Sequence, residues 1–174
     1  MSIKSKIKKI IPEWLVSLYH LCLASLAVFY YGRPSKKMIT IGITGTKGKT
    51  SAANFIWSVL TAGGYKTGLI GTANIRIGDI EMLNKYHMTM PGRFILQQTL
   101  KQMADIGCKF AIVETTSEGI KQWRHYGIFY DIAVFTNLTP EHLEAHGGDF
   151  LKYKKAKGKL FSALEKNGSK TILG

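Results

Sequence analysis

The sequence predicts an α/β protein with a mostly parallel sheet and helices on both faces. Three observations carry that prediction: apolar runs of strand length alternate with helix-length stretches, the runs lack the polar alternation of a half-exposed sheet, and a glycine-rich segment joins the first strand to the first helix. At 174 residues the chain has room for one domain with a real core. An excess of 24 Lys+Arg over 11 Asp+Glu, a formal charge of +13, favours anionic partners such as nucleotides, nucleic acid or an acidic lipid surface. Cys22 and Cys108 are far apart and form no metal or redox spacing, so both read as small buried thiols in a reducing compartment.

Residues 1–37 read as a unit of their own. A lysine-rich start, "MSIKSKIKKIIPEW", leads into "WLVSLYHLCLASLAVFYY", which runs from Trp14 to Tyr31 without an Asp, Glu, Lys or Arg. That run reaches the lower length limit for crossing a bilayer and has cations beyond both ends. The reading favours a helix packed on the next domain or lying on a membrane surface over a true span. His20 within it takes no functional role. A cytoplasmic protein with residues 14–31 as its candidate membrane contact is the expectation.

From Met38 the elements alternate. "MITIGIT" is a buried strand, and "KTSAANFIWSVLTAGG" a helix stopped by Gly63 and Gly64. "KTGLIGT" and "ANIRIGDIEML" are short strands, the second stretch a hairpin turning at Gly78 and Asp79. A helix from about Arg93 to Ile106 precedes the strands in "KFAIVETTS" and "DIAVFTN"; "FLKYKKAKGKLFSALEK" is a last helix and "KTILG" starts another strand. Residues 38–174 therefore read as one domain that is incomplete at its C-terminal end.

The chemistry starts at "GITGTKGKTS". A glycine-rich turn between strand and helix exposes backbone N–H groups to phosphate, and the helix N-terminus adds a favourable dipole. Gly45, Thr46, Lys47, Gly48, Lys49, Thr50 and Ser51 form the candidate ATP-binding loop, with Lys49 neutralising the β/γ-phosphates and the Thr50 hydroxyl on Mg²⁺. Ile43 occupies the place of the first glycine of a general P-loop, so this is a variant of it. A glycine turn that merely connects strand and helix is the alternative.

Glu114 ends the apolar run "FAIVE", at the carboxyl end of a strand where ligands of such sheets gather, and its carboxylate can reach Mg²⁺ or cap the following turn. "LTPEHLEAHGGD" gathers Glu141, His142, Glu144, His146 and Asp149. Its string is HLEAH, which differs from the HExxH pattern of zinc peptidases, so a hard-metal and phosphate role fits better than zinc. Pro140 with Thr139 as its cap also reads as a helix start.

In order, "GITGTKGKTS", "HMTMPGR", "VETTSEGIKQWR", "VFTNLTPEHLEAHG" and "YKKAKGKLF" resemble the central ATP-binding domain of the Mur ligases, most closely the UDP-N-acetylmuramoyl-tripeptide synthetases. The resemblance spans roughly Ile39 to Phe161. It implies peptidoglycan synthesis: ATP phosphorylates the carboxylate of a UDP-N-acetylmuramoyl peptide, and the amine of an amino acid attacks the acyl phosphate to form an amide. ATP and Mg²⁺ are the implied cofactors. Such chemistry needs positioning and charge neutralisation more than a protein nucleophile.

By the resemblance, Lys49, Glu114, His142 and Lys157 are catalytic, and Thr50, Glu114 and His142 surround Mg²⁺ together with Lys157 in carbamylated form. Lys154, Lys155 and Lys159 sit beside Lys157 in what otherwise reads as a solvated basic helix face. Thr89, Ser117, Gln122 and Arg124 match positions that contact the UDP-muramoyl substrate; each also reads as a cap or surface residue. Met90, Glu118 and Glu141 depart from the family pattern and bear on selectivity more than on ATP.

The family also has an N-terminal domain for the uridine nucleotide and a C-terminal domain that selects the amino acid and completes the ATP site. Neither is expected in this chain, so ATP binding without ligation is one reading. A nucleotide-binding or nucleic-acid-binding module lacking ligase activity is a rival, although no nucleic acid partner is expected. Folylpolyglutamate, cyanophycin-type and lipid-linked muramoyl ligases are others; the "GKTS" of the loop and "TNLTPEH" lean towards the Mur side.

Overall fold

In a computed structural model, residues 12–141, 143–167 and 170–173 are described. A first helix, α1 (Glu13–Tyr31), ends on the left-handed Gly32, whose N–H donates to Val28 O at 3.0 Å. A single 3₁₀ turn (Pro34–Lys37) then feeds strand β1 (Ile39–Thr44), followed by α2 (Lys49–Ala62), β2 (Thr67–Ile70), β3 (Asn74–Ile77) and β4 (Ile80–Leu83). After α3 (Arg93–Asp105) come β5 (Phe110–Glu114), the short α4 (Ser117–Lys121), β6 (Ile132–Phe135), a 3₁₀ turn at Leu143–His146, α5 (Phe150–Asn167) and β7 (Lys170–Leu173).

The seven strands form one sheet in the order β4-β3-β2-β5-β1-β6-β7. From β2 to β7 all neighbours are parallel, and the β3–β4 hairpin, turning at Gly78 and Asp79 as expected, adds an antiparallel edge. β1 lies between β5 and β6, with Ile41 opposite both Ile112 and Ile132. The central position of β1 sets the site, because the glycine-rich loop leaves its carboxyl end between the carboxyl ends of its two neighbours.

Side chains of β1 alternate between two cores. Ile41 and Ile43 pack with Leu69, Ile112 and Ala53 of α2 on one face. On the other face α3 and α5 supply Leu96, Leu100, Met103, Leu160 and Leu164. β1 turns Gly42 towards that second core, and a Cβ there would lie 2.7 Å from the Tyr130 ring and 2.9 Å from Leu160. Tyr130 is fully buried and its hydroxyl shares a 3.1 Å hydrogen bond with the Thr115 hydroxyl, so the ring has little freedom to withdraw.

Two expectations are corrected. Cys108 is buried, but Cys22 is exposed, because it falls on the outward side of α1. No helix starts at Pro140, and Thr139 does not cap one: its N–H donates to the Thr46 hydroxyl at 3.0 Å and its carbonyl accepts from that hydroxyl at 3.2 Å. The segment is tied to the glycine-rich loop, and its local bonds, Glu141 N–H to Thr139 O at 2.8 Å and the Thr139 hydroxyl to Glu141 Oε1 at 3.3 Å, make a turn and not a helix start.

α1 runs along α3 and packs Ala24, Ala27 and Val28 inward, with Gly127 at positive φ leaving room for Val28. Ser17 accepts a 2.8 Å hydrogen bond from the Trp123 indole N–H. Leu15, Leu18, Tyr19, Leu26, Phe29 and Tyr30 point outward and are exposed. The helix is long and apolar enough to cross a membrane by length and composition.

Gly42→Ala tests the packing around β1. The added methyl overpacks Tyr130 and Leu160 and is expected to lower the unfolding free energy by about 1–3 kcal/mol, measured by denaturant titration. An unchanged midpoint would show that the second core yields at that point.

Candidate nucleotide-binding site

The loop from Gly45 to Gly48 exists in this shape because its neighbours leave no alternative. A Cβ on Gly45 would sit 1.9 Å from Thr136 Oγ1, and Gly48 has a left-handed φ of 78° at the start of α2. The end of β6 clamps the loop. Asn137 accepts from the Thr46 N–H through its carbonyl oxygen at 3.0 Å, while its side-chain oxygen takes the Lys47 N–H at 2.9 Å. The Thr136 hydroxyl and the Asn137 amide donate to Lys47 O at 2.6 and 3.1 Å. From α5, the Tyr153 hydroxyl shares a 2.9 Å hydrogen bond with Thr46 Oγ1.

Both candidate lysines converge on this loop. Lys49 Nζ donates to the carbonyls of Gly45 and Thr46 at 3.0 and 2.9 Å. Lys157 Nζ reaches the same Gly45 carbonyl from α5 at 2.6 Å, lying 4.6 Å from the Tyr153 ring centroid. Lys157 is 4% exposed, whereas Lys154, Lys155 and Lys159 are in water, so one lysine of the basic run is singled out by helix phase. Burial, and then the positive charge of Lys49, push the Lys157 ammonium down to about 8. Burial also lowers Lys49, against the opposing pull of Glu114.

Glu114 is fully buried at the end of β5. Its Oε2 accepts from the Thr50 and Thr72 hydroxyls, both at 3.0 Å, and its Oε1 from the Thr72 N–H at 3.1 Å. A Cβ on Gly71 would meet Oε1 at 2.5 Å, so the carboxylate occupies space that only glycine leaves open. Glu114 and Thr50 thus stand together as hard oxygen donors, the set that Mg²⁺ takes. Among the described residues no group of three His, Cys, Asp or Glu is placed to hold an ion.

The loop, Lys49 and Lys157 border a cleft of about 700 Å³, which Glu118 and Glu144 also line, while Glu114 lies buried behind Thr50 and Thr72. Thr89, Ser117 and Ser51 also line it. Gln122 and Arg124 do not line it: Arg124 donates to Gln122 Oε1 at 3.2 and 2.6 Å and to Met90 O, and Gln122 Nε2 donates to Glu118 at 2.9 Å. Lys47 is exposed and paired with Glu141 at 2.8 Å. His142 lies outside the described residues. His146 is buried against Tyr153, ring centroids 5.4 Å apart, and is held below the usual imidazole range by burial and by Lys121 and Lys157.

Sequence reasoning did not single out Thr72, Thr136, Asn137 or Tyr153. Thr72 and Asn137 had a readable signal, since "LIGT" and "VFTN" both end strands at the edge where the loop emerges. Tyr153 had none, because its partner Thr46 is 107 residues away.

A central parallel strand opening into a glycine-rich loop, with Lys, Thr and a buried carboxylate gathered on it, defines a P-loop-type α/β domain. Comparison with known proteins is consistent and more specific. A family model described as "Mur ligase middle domain" matches residues 43–173. The chain belongs to that family.

A UDP-N-acetylmuramoyl-L-alanyl-D-glutamate--2,6-diaminopimelate ligase of Geobacillus kaustophilus (strain HTA426) is 44% identical over 156 residues, covering 88% of this chain and 31% of the relative. A UDP-N-acetylmuramyl-tripeptide synthetase of Roseiflexus sp. (strain RS-1) is 39% identical over 88% of this chain and 30% of the relative. This chain therefore spans about a third of the length of the curated relatives it matches. A solved diaminopimelate ligase of the same name superposes with a TM-score of 0.65 at 26% identity, over 78% of this chain and 31% of that one. E. coli FolC in complex with DHPP and ADP gives 0.66 at 16% identity, over 94% and 51%, a likeness of fold alone.

The position of Lys157 carries a pH dependence. The folded amine binds fewer protons than the unfolded one between pH 8 and its ordinary 10.5, so stability rises with pH through that window. Unfolding free energies of the wild type and Lys157→Met, compared across the window, are expected to shift in favour of the wild type as pH rises. A constant difference would overturn the assignment.

Proposed function

We propose that this chain supplies the ATP-binding centre of an ATP-dependent acid–amino acid ligase that adds an amino acid to a UDP-N-acetylmuramoyl peptide in peptidoglycan synthesis. One observation carries the reading: Lys49 and Lys157, from different helices, meet on one loop carbonyl beside the buried Glu114 and its partner Thr50. The names of the relatives supply the substrate class.

The backbone N–H groups at the start of α2 face the phosphates, the Thr46 and Lys47 amides being held by Asn137, and Lys49 exchanges its loop carbonyls for phosphate oxygens. Thr50 and Glu114 would hold Mg²⁺, with His142 as a further ligand by family resemblance. Held there, Mg²⁺ would supply neutralisation of phosphate charge. The substrate carboxylate takes the γ-phosphoryl group with loss of ADP; the incoming amine then attacks the acyl carbon, and phosphate leaves as the amide forms and the amine loses its proton. The role of the chain is to place and neutralise these groups.

Lys157 is suited to carbamylation because its depressed proton affinity leaves more of the amine neutral at working pH. The Nζ lone pair attacks CO₂, an N–C bond forms, a C=O electron pair moves to oxygen, and the nitrogen proton leaves to solvent. The product carries a carboxylate where the ammonium stood, beside Lys49. Thr89 and Ser117 face the acceptor peptide from the cleft wall, while Arg124 and Gln122 support that wall through Met90 and Glu118.

Lys49→Ala is expected to abolish ATP binding in a calorimetric titration of the chain, and unchanged affinity would overturn the phosphate assignment. Salt-sensitive binding to arbitrary DNA, with no response to ATP or UDP-muramoyl peptide, would favour the nucleic-acid module instead. In the full-length protein Lys157→Ala is expected to remove ligase turnover and to regain part of it with added short carboxylic acids. Loss of turnover without such rescue would argue against the carbamate.

A further inference from the structure

Thr72 joins two halves of the cleft that the nucleotide reading treats separately. Its hydroxyl is 3.0 Å from Glu114 Oε2 and 2.9 Å from Thr89 Oγ1. A hydroxyl has one proton to give. Glu114 receives three donor contacts, from the Thr50 hydroxyl, the Thr72 hydroxyl and the Thr72 N–H, and lies within the field of the Lys49 ammonium. All three contacts run from threonine donors into its two oxygens.

The direction of the whole chain follows. Thr72 must spend its proton on Glu114, so the contact between the two threonines can form only with Thr89 as the donor. Thr89 has then used its own proton and turns lone pairs towards the cleft that it lines. We propose that Thr72 is a positioning residue that fixes the Thr89 hydroxyl as a hydrogen-bond acceptor, so that this wall of the cleft takes an N–H group of the substrate. This rests on the ligase reading and sharpens it. Short hydroxyls suggest recognition of phosphate or carboxylate oxygens, whereas a Thr89 without a free proton selects a donor. Two N–H sources have that chemistry: the peptide N–H groups of the muramoyl acceptor and the amine of the incoming amino acid.

The test uses the full-length protein with ATP analogue bound. Affinity is measured for UDP-N-acetylmuramoyl-L-alanyl-D-glutamate and for two analogues in which each peptide N–H in turn is replaced by an ester oxygen. Wild type and Thr72→Ser are expected to prefer the amide over one ester about two- to tenfold, the size of one net hydrogen bond. Thr72→Val frees the Thr89 proton and is expected to erase that preference. Thr89→Val, a substitution at a half-exposed position, removes the acceptor and gives the same result should Thr72→Val fold poorly. A second arm replaces the peptide by 2,6-diaminopimelate, and weakening by Thr89→Val in that arm alone assigns the donor to the amine. An N–H preference that survives Thr89→Val, or no effect of Thr89→Val in either arm, overturns the inference. No binding of any of these compounds overturns the substrate reading together with it, whereas binding without the Thr72 dependence leaves that reading standing and removes only the inference.

Discussion

The approach of Gly45 to Thr136 is the contact on which the rest depends. Two parallel strands, β1 and β6, end side by side, and the chain leaving β1 passes so close to the chain leaving β6 that no side chain fits between them. That closeness lets Asn137 hold two loop amide groups and Lys47 O at once, which fixes the remaining loop carbonyls in the direction of the lysines. Without it the loop would be a flexible connector, and Lys49 and Lys157 would share no common target. The variant loop, with Ile43 in place of a glycine, follows from the same geometry: Ile43 is the last core residue of β1, fully buried, and belongs to the sheet before the loop has begun.

Charge is arranged around this contact in a way composition alone does not show. The formal charge of +13 is spread over the surface, but the two lysines that matter face each other inside the cleft with one buried carboxylate nearby. Like charges brought together out of water oppose folding unless something negative joins them. The cost of that burial falls chiefly on Lys157, the more buried of the two.

Much of this was legible in the chain. Alternation of strand-length and helix-length stretches gave the parallel sheet, Gly78 and Asp79 gave the hairpin, and the loop residues gave the glycine-rich turn between β1 and α2, because each signal is local. The site was less legible wherever a contact joined residues far apart. Nothing near Lys157 distinguishes it from Lys154, Lys155 and Lys159 except helix phase relative to a loop more than a hundred residues earlier. Cys22 was read as buried since its neighbours are apolar, and that inference fails on a helix whose outward side is apolar too. Thr139 looked like a cap because Pro140 follows it, and long-range pairing with Thr46 won over the local pattern.

That outward side of α1 gives the molecule two opposed tendencies in solution. Its large positive charge keeps copies of the chain apart, while Leu18, Leu26 and Phe29 form a surface that gains free energy from any cover. Repulsion between exposed charges is screened within about 8 Å at physiological salt, whereas apolar attraction is not. The colloidal behaviour of the chain is therefore inverted with respect to its charge chemistry: added salt weakens its hold on anions and strengthens its attraction to itself.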